Sequence, residues 1–204
     1  MNYKSRKYVD LHVIDAVNEE WMKNGASEAL MLRFFLRRTS IHIVSHLAWD
    51  VNSLQGVIAG VAGYRPQYCD PRKAIPYIHI SCYGKKDGLN LGDSALMPWS
   101  QLSECLLPLQ EKTDYNLPLS LSSCFGYYGA QLAKEISPKY KKRRPYYSLV
   151  GANDEIPIGI LCDAFGILYY NLLVKFSSLK QSIQAARDKT GVPLGYTYGA
   201  VVAG

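Results

Sequence analysis

The sequence predicts an α/β fold in which helices cover both faces of a mostly parallel sheet, forming a three-layer sandwich. Short runs rich in apolar and β-branched residues alternate with longer segments of helical periodicity along most of the chain. The 204 residues are enough to bury one full core. Since no linker, repeat or low-complexity tract interrupts the alternation, residues 1–204 are predicted to form a single domain.

The composition is typical of a globular protein. Hydrophobic residues make up 48% of the chain and charged residues 20%, which argues against disorder. No apolar run reaches the ~18–20 residues of a membrane span. The basic N-terminus is not followed by the apolar region of a signal peptide. We therefore expect a cytoplasmic protein without a membrane span.

Cysteine spacing and charge distribution narrow the kinds of ligand. The five cysteines include no CxxC pair, which argues against a zinc knuckle and a disulfide framework, so neither a metal nor a cofactor is expected. Much of the net charge of +6 lies in a basic run at residues 139–144. No zinc finger or helix-turn-helix accompanies this run, and a nucleic-acid partner is not expected.

The periodicity assigns the elements in order. Ser27 is predicted to cap a helix whose apolar face contains Leu30 and Phe34. Strands are predicted at residues 8–16, 40–47, 76–82, 117–124 and 146–150, with a small hairpin arm at 89–91. Helices are predicted at residues 27–36, 51–62, 98–109, 127–136, 157–176 and 177–189, and a loop at 63–75. The tail at residues 191–204 is either a final strand or a segment that pairs with another copy.

Reactive side chains follow the strands at the carboxyl edge of the predicted sheet, where ligands bind in such folds. Cys124 ends a strand and precedes a helix, and a helix N-terminus favours a thiolate. Gly126 lets the backbone approach a substrate closely. The neighbouring strand ends in Tyr83-Gly84, so the Gly84 N–H is a candidate for an oxyanion hole.

Several short motifs occur in a recognisable order. They are the segments at residues 78–84 (IHISCYG), 87–91 (DGLNL), 99–102 (WSQL), 119–126 (LSLSSCFG), 149–151 (LVG) and 164–170 (AFGILYY). Over roughly residues 8–190 the sequence resembles the caspase-like cysteine peptidases, in particular the bacterial CHAT and metacaspase branches. The resemblance implies a caspase-like sheet, a peptide or protein substrate, and in bacteria a role in defence or cell death. It also implies that Cys124 attacks the peptide carbonyl to form an acyl-enzyme, with the N–H groups of Gly84 and Cys124 holding the oxyanion.

The sequence departs from this family at one position that matters for catalysis. The family's general-base histidine falls at Tyr83, and a tyrosine hydroxyl, which ordinarily titrates near pH ~10, is a poor base. His79 is a second catalytic candidate on the same strand. It lies four residues before Tyr83, which at ~3.3 Å per residue corresponds to about 13 Å between them. Its alternative role is that of a hydrogen-bonded histidine in the core. Tyr83 marks a degenerate homologue that binds peptides, a slow enzyme that uses an activated thiolate, or a variant of an active parent.

Substrate-binding residues are also implied by the resemblance. Metacaspase-type members place an acid at the end of the first strand and cut after Lys or Arg, which makes Asp15 the candidate reader of a basic side chain. Its alternative role is that of a helix cap or turn residue. Ser122 and Asp154 are further candidates, and Asp154 equally suits an acidic loop before a helix. The basic run at residues 141–144 lies where related peptidases are often processed, so cleavage there is a hypothesis.

Two other function classes remain open. A non-catalytic interaction module would hold a peptide, a regulatory protein or a second copy of the chain, with Tyr83 filling the former active site. A flavodoxin-like or TIR-like nucleotide binder is disfavoured, because residues 16–20 after the first strand contain no glycine to cradle a phosphate.

Overall fold

The computed structural model describes residues 9–16, 27–63, 76–92, 95–113, 116–133 and 146–199. Most of the predicted loop at 63–75 and all of the basic run at 139–144 lie outside these ranges. The described strands are β1 (Val9–Ala16), β2 (Ile41–Leu47), β3 (Tyr77–Lys85), β4 (Gly88–Leu91), β5 (Ala95–Pro98), β6 (Pro118–Ser122), β7 (Ser148–Ala152) and β8 (Leu194–Tyr198). The described helices are α1 (Glu28–Leu36), α2 (Val51–Gly63), α3 (Trp99–Lys112), a 3-10 helix (Gly126–Ala133), α4 (Ile158–Tyr169) with a π-helical continuation (Tyr170–Val174), and α5 (Leu179–Thr190).

The sheet is mixed but mostly parallel. Its main order in the described residues is β2-β1-β3-β6-β7-β8, and only β8 runs antiparallel to its neighbour in that series. A hairpin of β4 and β5 extends the end of β3. Part of the predicted tail forms strand β8, which pairs with β7, and residues 200–204 lie outside the described ranges.

Helices cover both faces of the sheet. Helices α1, α4 and α5 pack on one face, and α2, α3 and the 3-10 helix pack on the other. Because successive strand residues point to opposite faces, Leu11 and Val13 of β1 join the first cluster while Ile14 joins the second. These layers confirm the predicted three-layer α/β sandwich. No helix in the described part of the chain is long and apolar enough to cross a membrane.

Helix α1 begins as predicted but turns a different face to the sheet. The Ser27 hydroxyl accepts a hydrogen bond from the Leu30 N–H at 3.3 Å, as an N-cap should. Leu30 and Phe34, however, are 56% and 71% exposed, so the predicted buried face is wrong. A second apolar stripe, formed by Ala29, Leu32 and Leu36, is buried instead, and Glu28 is buried with it.

Three element boundaries near the carboxyl edge of the sheet also differ from the prediction. Strand β3 continues through residues 83–85, because these residues pair with β4. Strand β6 ends at Ser122, which places Cys124 in the turn that follows rather than on the strand. A 3-10 helix at Gly126–Ala133 stands where an α-helix was predicted, and residues 134–136 lie outside the described ranges.

Candidate active site

Strands β3 and β6 bring Gly84 and Cys124 together. The strands are parallel neighbours, with Ser81 opposite Ser122, so the residues that follow meet at the same edge of the sheet. A Cβ atom added to Gly84 would lie 1.9 Å from the carbonyl oxygen of Cys124. The two backbones therefore approach so closely that glycine is required at position 84. The structure places these two sequence-predicted residues side by side.

The turn after the thiol is held by backbone hydrogen bonds. Phe125 adopts a left-handed conformation with φ 55°, and its N–H donates to the Asp154 carbonyl at 3.2 Å. The Gly126 N–H donates to the Ser123 carbonyl at 3.1 Å. The 3-10 helix then begins at Gly126, two residues after Cys124. A positive φ at a non-glycine residue is uncommon, and here the flanking hydrogen bonds stabilise it.

Cys124 lines a cavity of about 190 Å³. Its Sγ lies 3.8 Å from the carbonyl oxygen of Ile156, two residues before the start of α4. Tyr83 lines the same cavity and is 38% exposed. The lining residues are Cys82, Tyr83, Ser122, Ser123, Cys124, Ile156, Pro157, Ile158 and Leu161.

Two thiols line this cavity, but they differ in exposure. Cys82 is only 6% exposed, whereas Cys124 is partly exposed. Burial raises the pKa of the Cys82 thiol, and the nearby Glu28 and Cys124 raise it further. Cys82 therefore stays protonated and inert at neutral pH. Cys124 is the candidate nucleophile of the pair.

His79 lies in the interior rather than in the cavity. It is fully buried, with its Nδ1 atom 2.8 Å from the Tyr169 hydroxyl. Its Nε2 atom lies 3.1 Å from Oε1 of Glu28, and its ring packs edge-on against Phe165. The structure thus supports the alternative role of a hydrogen-bonded core histidine. As a catalytic candidate, His79 has no place among the cavity residues.

Glu28 contacts both His79 and Ser122, and Ser122 lines the cavity. It is fully buried, and its Oε1 atom accepts a hydrogen bond from the Ser122 hydroxyl at 2.8 Å. Its Oε2 atom has no hydrogen-bond partner in the described residues. Ser122, a sequence-predicted substrate-binding residue, lines the cavity, but its hydroxyl donates a hydrogen bond to Glu28. The result is a buried polar network of Ser122, Glu28, His79 and Tyr169, whose hydroxyl also hydrogen-bonds Ser120.

Asp15 caps a helix instead of lining the cavity. It is 1% exposed, and its carboxylate accepts hydrogen bonds from the Ser27 hydroxyl at 2.6 Å and from the Glu28 N–H at 3.1 Å. Burial raises the pKa of the Asp15 carboxyl, while its hydrogen bonds from Ser27 and Ala29 oppose that shift. These contacts match the helix-cap alternative for Asp15 rather than the reader of a basic side chain.

Asp154 contributes its backbone to the site. Its carbonyl holds the Phe125 N–H, whereas its exposed carboxylate accepts a hydrogen bond from the N–H of Glu155 at 2.9 Å. The carboxylate is not part of the cavity lining. Asp154 therefore positions the turn after Cys124, and its side chain serves the acidic-loop alternative.

Several site residues were missed by the sequence reasoning. Glu28 follows an N-cap, where an acid normally lies at the surface and favours the helix dipole. Its burial could have been suspected from His79, because a histidine inside an apolar strand requires a polar partner. The apolar cavity wall is formed by Ile156, Ile158 and Leu161. Their sequence pattern is the same as that of apolar residues in the hydrophobic core, so it does not indicate a cavity.

Comparison with known proteins adds no assignment. No protein-family model matches the chain, and no curated protein matches it either. Within the described ranges, no group of three or more His, Cys, Asp and Glu side chains is arranged to hold a metal ion. The chemistry of the site is therefore argued from its geometry.

Proposed function

We propose that this chain is a catalytically degenerate relative of the caspase-like cysteine peptidases that binds a peptide or protein segment beside Cys124. One observation carries the proposal. The accessible thiol and the Gly84 backbone adjoin as a peptidase site requires, while Tyr83 lines the cavity where the resemblance expects histidine. The site therefore retains the thiol and the backbone groups that would bind a peptide, and it lacks a general base.

The missing part matters because peptide hydrolysis needs proton transfer. When Sγ attacks the peptide carbonyl a C–S bond forms, the C–N bond breaks, and the leaving amine must take up a proton. None of the cavity-lining residues described is a histidine, a carboxylic acid or an amine. General acid–base catalysis contributes typically about 100-fold to 10,000-fold in rate. Turnover without it is correspondingly slow.

Peptide binding is supported by the close packing of Gly84 on Cys124. We assign the backbone N–H groups of these two residues to the oxygen of a bound carbonyl, because the two backbones adjoin beside the cavity that Cys124 lines. The partner is a peptide or protein rather than a nucleotide, since the cavity wall offers apolar side chains and no basic group for a phosphate.

An active peptidase is the second candidate. It is favoured by the position of Cys124, which lies close to the beginnings of the 3-10 helix and of α4. Backbone N–H groups at helix beginnings stabilise a nearby thiolate without any histidine. In that case the native chain cleaves peptides slowly through Cys124.

Peptide hydrolysis by the native chain and three variants distinguishes these functions. The substrates are fluorogenic peptides with Arg, Lys, Asp, Leu or Phe before the scissile bond. We expect no cleavage by the native chain and none by Cys124→Ala. Tyr83→His should raise the rate by at least about 100-fold, because it restores the general base. Tyr170→His is the matched control, since Tyr170 is also 38% exposed but does not line the cavity.

The alternative outcomes separate the two candidates. Cleavage by the native chain that disappears in Cys124→Ala would establish an active peptidase and remove the degenerate interpretation. If Tyr83→His behaves like Tyr170→His, Tyr83 does not occupy the position of a general base, and the proposed relation to peptidases loses its main support.

A further inference from the structure

The cavity beside Cys124 has the size of a single side-chain pocket. Its volume is about 190 Å³. An apolar protein cavity of about 150 Å³ holds a benzene molecule, so a leucine or phenylalanine side chain fits this space. One wall is formed by Ile156, Pro157, Ile158 and Leu161 at the start of α4.

None of the described residues that line the cavity carries a charge. Two carboxylates of neighbouring elements do not line the cavity: Asp15 is hydrogen-bonded to Ser27 and to the start of α1, and Glu28 contacts Ser122 and His79. A lysine or arginine side chain in the cavity would therefore be buried without a carboxylate on the wall. Burying an unpaired charge is costly, so the pocket disfavours it.

An acidic side chain is equally ill matched. Lys86, which follows β3, lies over the rings of Phe125 and Tyr128 after Cys124, with its Nζ 5.5 Å and 5.9 Å from their centroids. Lys86 does not line the cavity. An aspartate or glutamate side chain would thus also enter without a partner.

We propose that this cavity selects an uncharged, apolar side chain of the bound peptide, and that Ile158 and Leu161 determine this preference. The inference rests on the proposed function and names its ligand class. It replaces the basic preference that the family resemblance implied, because Asp15 is committed to capping α1. Leu161 is 2% exposed and Ile158 is half-buried, so both present carbon atoms to the cavity rather than to solvent.

Thiol-directed peptide probes test the preference without requiring turnover. Acetylated chloromethyl ketones of leucine, phenylalanine, arginine and aspartate react with Cys124 by forming a C–S bond and releasing chloride. Labelling is followed by intact mass on the native chain, with Cys124→Ala as the blank and iodoacetamide as the reference for intrinsic thiol reactivity. Relative to that reference, we expect the leucine and phenylalanine probes to react at least about 10-fold faster than the charged probes.

A charge on the wall should change the preference. Ile158→Asp places a carboxylate beside the cavity in the first turn of α4, where an acid also suits the helix. We expect the arginine probe to gain at least about 10-fold on this variant. Ile160→Asp is the matched control, because Ile160 occupies the same turn, is 45% exposed and does not line the cavity.

The outcomes separate this inference from the proposed function. Fastest labelling by the arginine or aspartate probe on the native chain would overturn the apolar preference and leave peptide binding intact. If Ile158→Asp behaves like Ile160→Asp, the wall of α4 does not set the preference, and the inference fails. If every peptide probe reacts with Cys124 no faster than iodoacetamide, the site does not bind peptides, and both proposals fail together.

Discussion

The central strands β3 and β6 present two buried faces of opposite character. On one face, Ile78, Ile80, Leu119 and Leu121 pack against α2, α3 and the 3-10 helix. We refer to this side as the apolar face. The alternate residues form the polar face beneath α1 and α4: His79, Ser81, Ser120 and Ser122. A single backbone thus carries a hydrophobic core on one side and a polar layer on the other.

The difference shows how stability and chemistry are divided in this molecule. Burial on the apolar face stabilises the fold by about 25 cal/mol per Å² and requires no particular partner. On the polar face every buried group needs a hydrogen bond, and Oε2 of Glu28 and Oγ of Ser81 have none in the described residues. The cavity and Cys124 adjoin the polar face. The candidate site therefore lies next to the polar face, whose burial costs more free energy than that of the apolar face.

The largest expected effect is on the polar face itself. Glu28→Ala leaves the Ser122 hydroxyl buried without its acceptor and removes the carboxylate that lies 3.1 Å from His79, so the free energy of unfolding should fall by about 3–5 kcal/mol, measured by urea denaturation. Glu28→Leu combined with His79→Leu should recover most of that loss, because a well-packed apolar pair is often as stable as a buried polar pair. A single variant as stable as the native chain would contradict the importance of this network.

A truncation on the apolar face should be nearly as destabilising but have no effect on the thiol. Leu106 of α3 is fully buried, and Leu106→Ala should lower the free energy of unfolding by about 2–5 kcal/mol. Under native conditions, the rate of Cys124 alkylation by iodoacetamide should be unchanged. A clear change in that rate would show that the two faces are coupled.

A smaller effect is expected where β3 meets Cys124. Gly84→Ala puts a methyl group on the Cys124 carbonyl, so the two backbones must separate, at a cost of about 1–3 kcal/mol. The iodoacetamide rate at Cys124 should change as well. Gly60→Ala in α2 is the control, since no atom lies within 4 Å of the added carbon. That control should stabilise the protein by up to about 1 kcal/mol, and equal effects from the two changes would refute the close packing.

The smallest effect concerns a polar exception on the apolar side of the sheet, at the β1–β2 edge. His12 is buried with its Nδ1 3.0 Å from Nε2 of His46, and burial, assisted by His46 and His42, lowers the pKa of His12 from 6.5 to about 3. The folded state therefore resists protonation. This contribution to stability is present above pH 6.5 and is lost as the pH falls towards about 3.

The pH dependence of unfolding measures this contribution. Below the ordinary histidine range, stability should fall by about 1.4 kcal/mol per pH unit from His12 alone. His12→Gln should flatten that slope by one proton, whatever its effect on overall stability. Urea denaturation between about pH 7 and about pH 5 makes the comparison. Parallel slopes would show that His12 is not buried in its neutral form.

The fold was largely predictable from the sequence, whereas the interior of the site was not. Alternating strands and helices indicated the layers, and the rule that parallel strands end at one edge brought Gly84 and Cys124 together. The buried face of α1 was predicted wrongly because the helix has two apolar stripes. Its orientation depends on Glu28, whose partner Ser122 is 94 residues away in sequence. Local patterns carry no information about such distant polar pairs.

The sequence separation within the polar network also affects how the protein is made. Ser122 lies 94 residues after Glu28 in the sequence, and Tyr169 lies 90 residues after His79. Contacts that close such long loops form late in folding. During synthesis, the hydrogen bond from Ser122 to Glu28 can form only after β6 has been made, and the contact of His79 with the Tyr169 hydroxyl only after α4 has been made. The polar network can therefore be complete only when the chain has been synthesised through α4, after seven of the eight described strands.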